Sequence, residues 1–303
     1  MLTKHNAVFE LNINDHNGSF DITPVDTRFP SLTGIHCGIH YQYGTTHVRY
    51  HFGSAGCSIK SLNSMELRGQ GSFDAFRLAF PSDHNGLRVD ITIGILQEYP
   101  LVLWKVDLHN EGPKPVRVGR IDLLEVNPLE HGRIHYSSER SQPELGFFSN
   151  GWQSWSPSRW YRADAQMQIS KLHGLQTPML YNPGTPRPRK PGEFSSDMFA
   201  AITDNTSRTG FLVGFLSQEQ NFGSILADFN KGKLTMWANG DDARLDPGAV
   251  METDWAVFNP ILLDHRDPLD KYLEAAARQN NVNLPVEAPV GWCSWYHFYE
   301  KVT

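Results

Sequence analysis

Cysteine is scarce in this 303-residue chain, which carries only Cys37, Cys57 and Cys293. An odd, sparse set is no disulfide framework, so a reducing compartment is the simpler reading. No apolar run reaches the 18 residues expected of a membrane-spanning helix, and the N-terminal "MLTKHNAVFELNINDH" turns polar too soon for a signal peptide. Positive charge is short as well. Lys and Arg total 27 against 33 Asp and Glu, a net charge of −6, which leaves no basic surface for nucleic acid or an anionic membrane. The 13 His residues are mostly neutral at pH 7 and do not change that balance. Also missing are a G-x-S-x-G elbow, a P-loop and a G-x-G-x-x-G turn. The expectation is a soluble cytoplasmic protein with neither a nucleic-acid nor a membrane partner.

Helical periodicity is nearly absent from the first 260 residues, where alternation takes its place. In "GIHCGIHY", Ile35, Cys37, Ile39 and Tyr41 share one face and His36, Gly38 and His40 the other. In "THVRYHF", Val48, Tyr50 and Phe52 oppose His47, Arg49 and His51. Two identical tetrapeptides, Asp15-His16-Asn17-Gly18 and Asp83-His84-Asn85-Gly86, lie between such runs and predict two-residue hairpin turns. Further strands are expected at "PLVLWKVDL", "VRVGRIDLLEV", "FAAI", "TGFLVGFLS", "KLTMWA" and "ETDWAVF", with "HNEGPKP" and "NGDDARLDPG" as turns. The Pro-rich "YNPGTPRPRKPGE" (181–193) reads as an extended surface loop. With a composition 40% hydrophobic and 20% charged, the whole predicts a large antiparallel sandwich with a substantial core. The texture then changes. "DPLDKYLEAAARQN" (267–280) is helical, with Asp267 as N-cap and Leu269, Tyr272, Leu273 and Ala276 as the apolar stripe. "VGWCSWYHFY" follows and reads as a buried strand.

Most chemical candidates weigh less than their bland readings. His47, His51 and Cys57 match no familiar zinc spacing, and Arg49 beside them would repel a cation, so no metal site is expected. Asp241-Asp242 lies among turn formers. Lys105 and Asp107 share a strand face, as a cross-strand ion pair would place them.

The tryptophans stand apart. Four of the eight occur in two similar hexapeptides, "GWQSWS" (151–156) and "GWCSWY" (291–296). Their flanks "ELGFFSN" and "PVEAPV" share nothing, so they are not an internal repeat. Trp152 and Trp155 are three apart among loop formers. A loop presenting them with Gln153, Ser154, Arg159, Trp160 and Tyr161 suits a sugar, whose C–H faces lie on indole rings while its hydroxyls hydrogen-bond to polar groups. Rings that simply plug the end of a sandwich are an equal alternative.

At these residues the chain resembles glycoside hydrolase family 36, the bacterial α-galactosidases. The matching pieces are "NGWQSWSP" (150–157), "SSDMFAAI" with "GFLVGFLS", the helix "PLDKYLEAAARQN" and "PVGWCSWYHFYEKVT" (289–303). The resemblance implies a mainly β fold: a large antiparallel β-supersandwich over 1–265, a connecting helix and linker over 266–287, and the first strand of an incomplete (β/α)8 barrel from 288 to 303. It implies hydrolysis of terminal α-galactosides with retention, by two carboxylates standing about 5–5.5 Å apart. The barrel segments that carry those carboxylates in the family have no counterpart here, so no catalytic residue is assigned and the chain alone is expected to be inactive. Neither metal nor cofactor is implied, and a homo-oligomer is compatible with the family. By the same resemblance Trp155, Trp295 and Tyr296 would line the galactose subsite, with Trp152 a weaker candidate behind the loop. A free-standing galactose-binding module is the alternative from another class. Galactosyl transfer of the raffinose-synthase kind and α-N-acetylgalactosaminide hydrolysis are alternatives within the family.

Overall fold

The computed structural model describes residues 1–97, 99–137, 143–153, 155–169, 180–283 and 290–293. Two ten-stranded sheets dominate, and every pairing in them is antiparallel. With strands numbered in chain order, the first sheet runs β1 (Leu2–His5), β2 (Phe9–Ile13), β3 (Phe20–Pro24) and β4 (Ser31–Tyr43). It then crosses to β10 (Val116–Val126), β18 (Lys233–Leu245), β17 (Gly223–Asp228) and β14 (Glu193–Asp197). β5 (Thr46–His51) and β11 (Arg133–His135) also pair with β4. The second sheet begins β13 (Arg159–Arg162), β12 (Leu145–Ser149), β15 (Phe199–Asp204), β16 (Thr209–Phe215) and β20 (Ala256–Leu262). It continues through β9 (Val102–Asn110), β8 (Leu87–Leu96), β7 (Gly71–Phe80) and β6 (Ser58–Leu67), with β19 (Val250–Glu252) on β9.

Alternation decides what lies between the sheets. Ile35, Cys37, Ile39 and Tyr41 of β4 are all buried in the main core, as their shared parity predicts. Trp104 sits there too: its indole N–H crosses to the Leu123 carbonyl of the opposite sheet at 2.8 Å, and its ring meets Phe20 edge-on at 5.8 Å. The run "TGFLVGF" of β16 does not alternate and is buried throughout, which marks a strand covered on both faces. The cover is helix α1 (Asp270–Gln279). Tyr272 and Ala275 of α1 join Phe73, Leu103, Leu212 and Val257 in a second apolar cluster on the outer side of the second sheet.

Several details depart from the expectations. Both Asp-His-Asn-Gly segments make hairpins, but neither is a two-residue turn, because only the glycine of each adopts positive φ. Around Gly86 (φ 85°) the loop has three residues: Gly86 N–H donates to Asp83 O and Asp83 N–H to Leu87 O. The Asp83 carboxylate braces it by accepting from the N–H groups of Asn85 and Leu87. Around Gly18 the loop has four residues, since Asn14 supplies the bracing side chain one position earlier and closes against Ser19. The same tetrapeptide therefore turns differently according to its preceding residue.

"NGDDARL" is strand rather than turn. It lies in β18, where Gly240, Asp241 and Asp242 bulge opposite the single residue Gly119 of β10, and both aspartates take the left-handed conformation. The Pro-rich segment is a loop as expected, but Asn182 and Thr185 within it are buried against the first sheet. Helix α1 begins at Asp270, three residues after the expected cap, and Leu269 at its N-cap supplies no side-chain hydrogen bond. Its buried stripe is Tyr272, Ala275 and Gln279, whereas Leu273 faces solvent. The expected last strand is not formed over the residues described: Val290 to Cys293 are coil, and Val290 and Trp292 are exposed. No helix among the described residues is long and apolar enough to cross a membrane.

Candidate functional site

The segment between β12 and β13 carries the first tryptophan hexapeptide, and its polar residues fold it back on itself. Gly151 N–H donates to Ser158 Oγ at 3.0 Å, Trp155 N–H to Gln153 Oε1 at 3.0 Å and Ser156 N–H to Gln153 O at 2.9 Å. The turn thrusts Trp155 outward, leaving it 58% exposed. Trp152 points the other way, with its ring edge-on to Phe222 at 5.8 Å and its buried indole N–H without an acceptor among the described residues. Trp160 and Tyr161 do not belong to the loop. They lie in β13, where alternation turns Trp160 outward beside Phe148 and sends Tyr161 into the core against Phe194. The surface indole that expectation grouped with three other rings therefore stands at the loop tip without Tyr161.

Beneath the loop lies a cleft bounded by Asn150, Ser156, Tyr181, Asn182, Thr185, Arg187 and Asp197. The Arg187 guanidinium stacks on the Tyr181 ring at 4.7 Å. Asp197 Oδ1 accepts from Thr185 Oγ1 at 2.6 Å. Burial pushes the Asp197 carboxyl above its ordinary pKa, and its hydrogen bonds from Thr185 and Asn182 offset part of that. The cleft encloses about 320 Å³ of space outside the atoms, part of it open to solvent.

The other candidates resolve into structural groups. Lys105 Nζ lies 3.0 Å from Asp107 and 2.8 Å from Glu252, an ion-pair cluster on one sheet face. Burial raises the Asp107 pKa, with the Glu252 charge adding to it. Asp241 and Asp242 are exposed on their bulge. Of the histidines, His40 meets the buried Asp122 at 3.1 Å. Ligand atoms of His51, Glu125 and Glu130 gather within 4.8 Å of one another. Both Glu125 oxygens already hold cations, Arg49 and Lys233 at 2.9 Å each, which makes Glu125 a poor metal ligand. Cys57 takes no part in that group.

Trp295 and Tyr296 lie outside the described residues, so of the second hexapeptide only Gly291 to Cys293 is placed. Asn182, Thr185 and Asp197 were not singled out from the sequence. The first two sit in a stretch whose prolines signal only a loop, and Asp197 sits among ordinary strand residues.

No family model matches the chain. Among solved structures, it is similar to the α-N-acetylgalactosaminidase NagBb from Bifidobacterium bifidum in its GalNAc complex, with a TM-score of 0.56 at 10% identity. The ligand-free form of that protein aligns with a TM-score of 0.53 at 11% identity. In both cases the match covers 92% of this chain and 39% of the other. A GH36 α-galactosidase, AgaB from Geobacillus stearothermophilus, aligns at a TM-score of 0.47 and 9% identity, over 86% of this chain and 41% of its own. The chain thus spans about two fifths of NagBb and shares with it a β-sandwich built of two large antiparallel sheets.

Proposed function

We propose that this chain is the β-sandwich portion of a retaining glycosidase acting on terminal α-galactosides. In this reading residues 1–265 are the sandwich domain, 266–287 a connecting helix and linker, and 288–303 the start of a (β/α)8 barrel domain. The observation that carries it is Trp155, an exposed indole held out on a self-bonded loop of such a sandwich. Trp155 lies against the apolar face of the hexose, Trp295 and Tyr296 close the same subsite from the barrel side, and Trp152 packs behind the loop. The bond-breaking carboxylates come from polypeptide outside this chain. Asp107 is tied up with Lys105, and Asp241 and Asp242 sit exposed on a sheet bulge, so none of these three aspartates is suited to the role.

Calorimetry on the 303-residue chain with methyl α-galactoside tests the binding role. Millimolar or tighter binding is expected from the parent sequence, and loss of it in Trp155→Ala with an unchanged melting temperature. A parent chain that takes up no galactoside overturns the reading. With p-nitrophenyl α-galactoside no nitrophenol is expected, and robust turnover would place the catalytic acids inside these 303 residues. The likeness to NagBb, an α-N-acetylgalactosaminidase, favours one second reading, an α-N-acetylgalactosaminide as substrate. The same titration with methyl α-N-acetylgalactosaminide separates the two.

A further inference from the structure

The loop that presents Trp155 is tied at its Asn150 end to a hydrogen-bond chain that runs into the first sheet, and at its Ser156 end to the segment that carries Thr185. On the loop side, Asn150 and Asp197 exchange two bonds: Asp197 N–H donates to Asn150 O at 3.0 Å, and Asn150 Nδ2 donates to Asp197 O at 3.0 Å. Asn150 N–H also donates to Ser196 Oγ at 2.7 Å. At the other end of the hexapeptide, Ser156 Oγ donates to Leu180 O at 2.7 Å, and the chain from Leu180 leads directly into Asn182 and Thr185.

From Asp197 the bonds run inward across the sheet. Thr185 Oγ1 donates to Asp197 Oδ1, and the Thr185 and Ser224 hydroxyls meet at 2.6 Å. Asn239 Nδ2 donates to Ser224 Oγ at 2.8 Å and to Phe222 O at 2.9 Å, while Trp237 Nε1 donates to Asn239 Oδ1 at 3.0 Å. A carboxylate only accepts and Asn239 only donates at that bond, so the hydroxyl protons have one consistent order: Ser224 to Thr185, Thr185 to Asp197. Ser224, Thr185, Asn239 and Trp237 are all buried, and a broken link there would strand a desolvated polar group. Phe222, whose carbonyl belongs to this chain of bonds, also backs the Trp152 ring.

We infer that Thr185 is a positioning residue for sugar binding: its hydroxyl joins Asp197, and through it the Asn150 end of the loop, to Ser224 and the interior of the first sheet. The inference rests on the binding role proposed for Trp155 and adds which residues hold that indole in place. Preorganisation is the physical reason it matters, because an indole that must be ordered on binding gives up affinity to the ordering.

Thr185→Val keeps the side chain's shape and removes the hydroxyl. In the full chain it is expected to weaken galactoside binding by about tenfold and to raise acrylamide quenching of the Trp155 emission, taken as the difference from the same variant carrying Trp155→Phe. Thr185→Ser, which restores the hydroxyl, should return both readouts to the parent values. Affinity and quenching in Thr185→Val that match the parent overturn the inference. If the parent chain takes up no galactoside, quenching alone judges: a rise supports the positioning role although the sugar reading has failed, and no rise sinks both. Should Thr185→Val not fold, Ser224→Ala breaks the next link. Weaker binding and higher quenching in that variant support the inference, and parent values for both overturn it.

Discussion

Trp104 lies between the sheets with its N–H on the Leu123 carbonyl, whereas Trp155 leaves more than half of its surface to solvent. Replacing Trp104 by Ala removes a fully buried ring and leaves the Leu123 carbonyl only the weaker Cys37 thiol as donor, and should cost about 3–5 kcal/mol in urea unfolding. Trp155→Ala should move the same transition by no more than about 0.5 kcal/mol, because little packing is lost. A large loss for Trp155→Ala would mean that its ring plugs the sandwich rather than facing a ligand. Tyr272 gives an intermediate case. Its hydroxyl donates to Phe215 O at 2.8 Å in a buried setting, so Tyr272→Phe should cost about 1 kcal/mol by the same measurement. Spacing alone could show that Trp152 and Trp155 leave a regular strand. Which of the two faces outward depended on Phe222, some 70 residues further along the chain.

At the scale of elements, strands were the most legible feature, since a period of two needs only the residue types of one segment. β4, β9, β10 and β16 lie where alternation or an unbroken apolar run places them. Turn chemistry was less legible. The two Asp-His-Asn-Gly segments form three- and four-residue loops because Asp83 braces one and Asn14 the other. In the three-residue loop Gly86 has φ 85°, and a Cβ there would lie 2.4 Å from Gly112 Cα, so Gly86→Ala should cost at least about 1–2 kcal/mol by urea midpoint. The N-cap of α1 lies two residues beyond the expected one, at Leu269 rather than Asp267. Asp267 offers its backbone carbonyl to Asp270 N–H, but no side-chain cap is formed at the N-cap residue Leu269. Asp267→Ala should therefore change stability by less than about 0.5 kcal/mol, where a working cap would be worth about 1 kcal/mol.

For the whole molecule, carboxylates buried in the sheet faces set the response to acid. Burial alone would raise the pKa of Asp122, but the bond from His40 and the charge of Arg120 outweigh it and hold the carboxyl below its ordinary range. Glu125 is likewise lowered against its burial by Lys233 and Arg49, and Asp90 by Arg77 and Arg88. A carboxyl with a lowered folded pKa contributes stability that is full above its unfolded pKa and lost as pH falls through the folded one. Asp107 and Asp197 are shifted upward and act with the opposite sign, favouring the folded state more as they take up protons. The urea midpoint should hold near neutrality and fall below about pH 4 as the lowered group titrates. Asp122→Asn should flatten that acid limb, and an unchanged limb would remove Asp122 from the explanation.

Composition and period by themselves determined the sandwich, because burying one face of many strands needs only the right parity of apolar residues. They also singled out the tryptophan loop, since indoles among Gly, Ser and Pro have no place in a regular strand. The tertiary structure alone decided that Tyr161 turns into the core while Trp155 stands at the loop without it, and that Asn182, Thr185 and Asp197 underpin the loop. Those contacts join side chains brought together by pairing between strands far apart in the chain, and no local pattern encodes which distant partner a hydroxyl or an indole will meet.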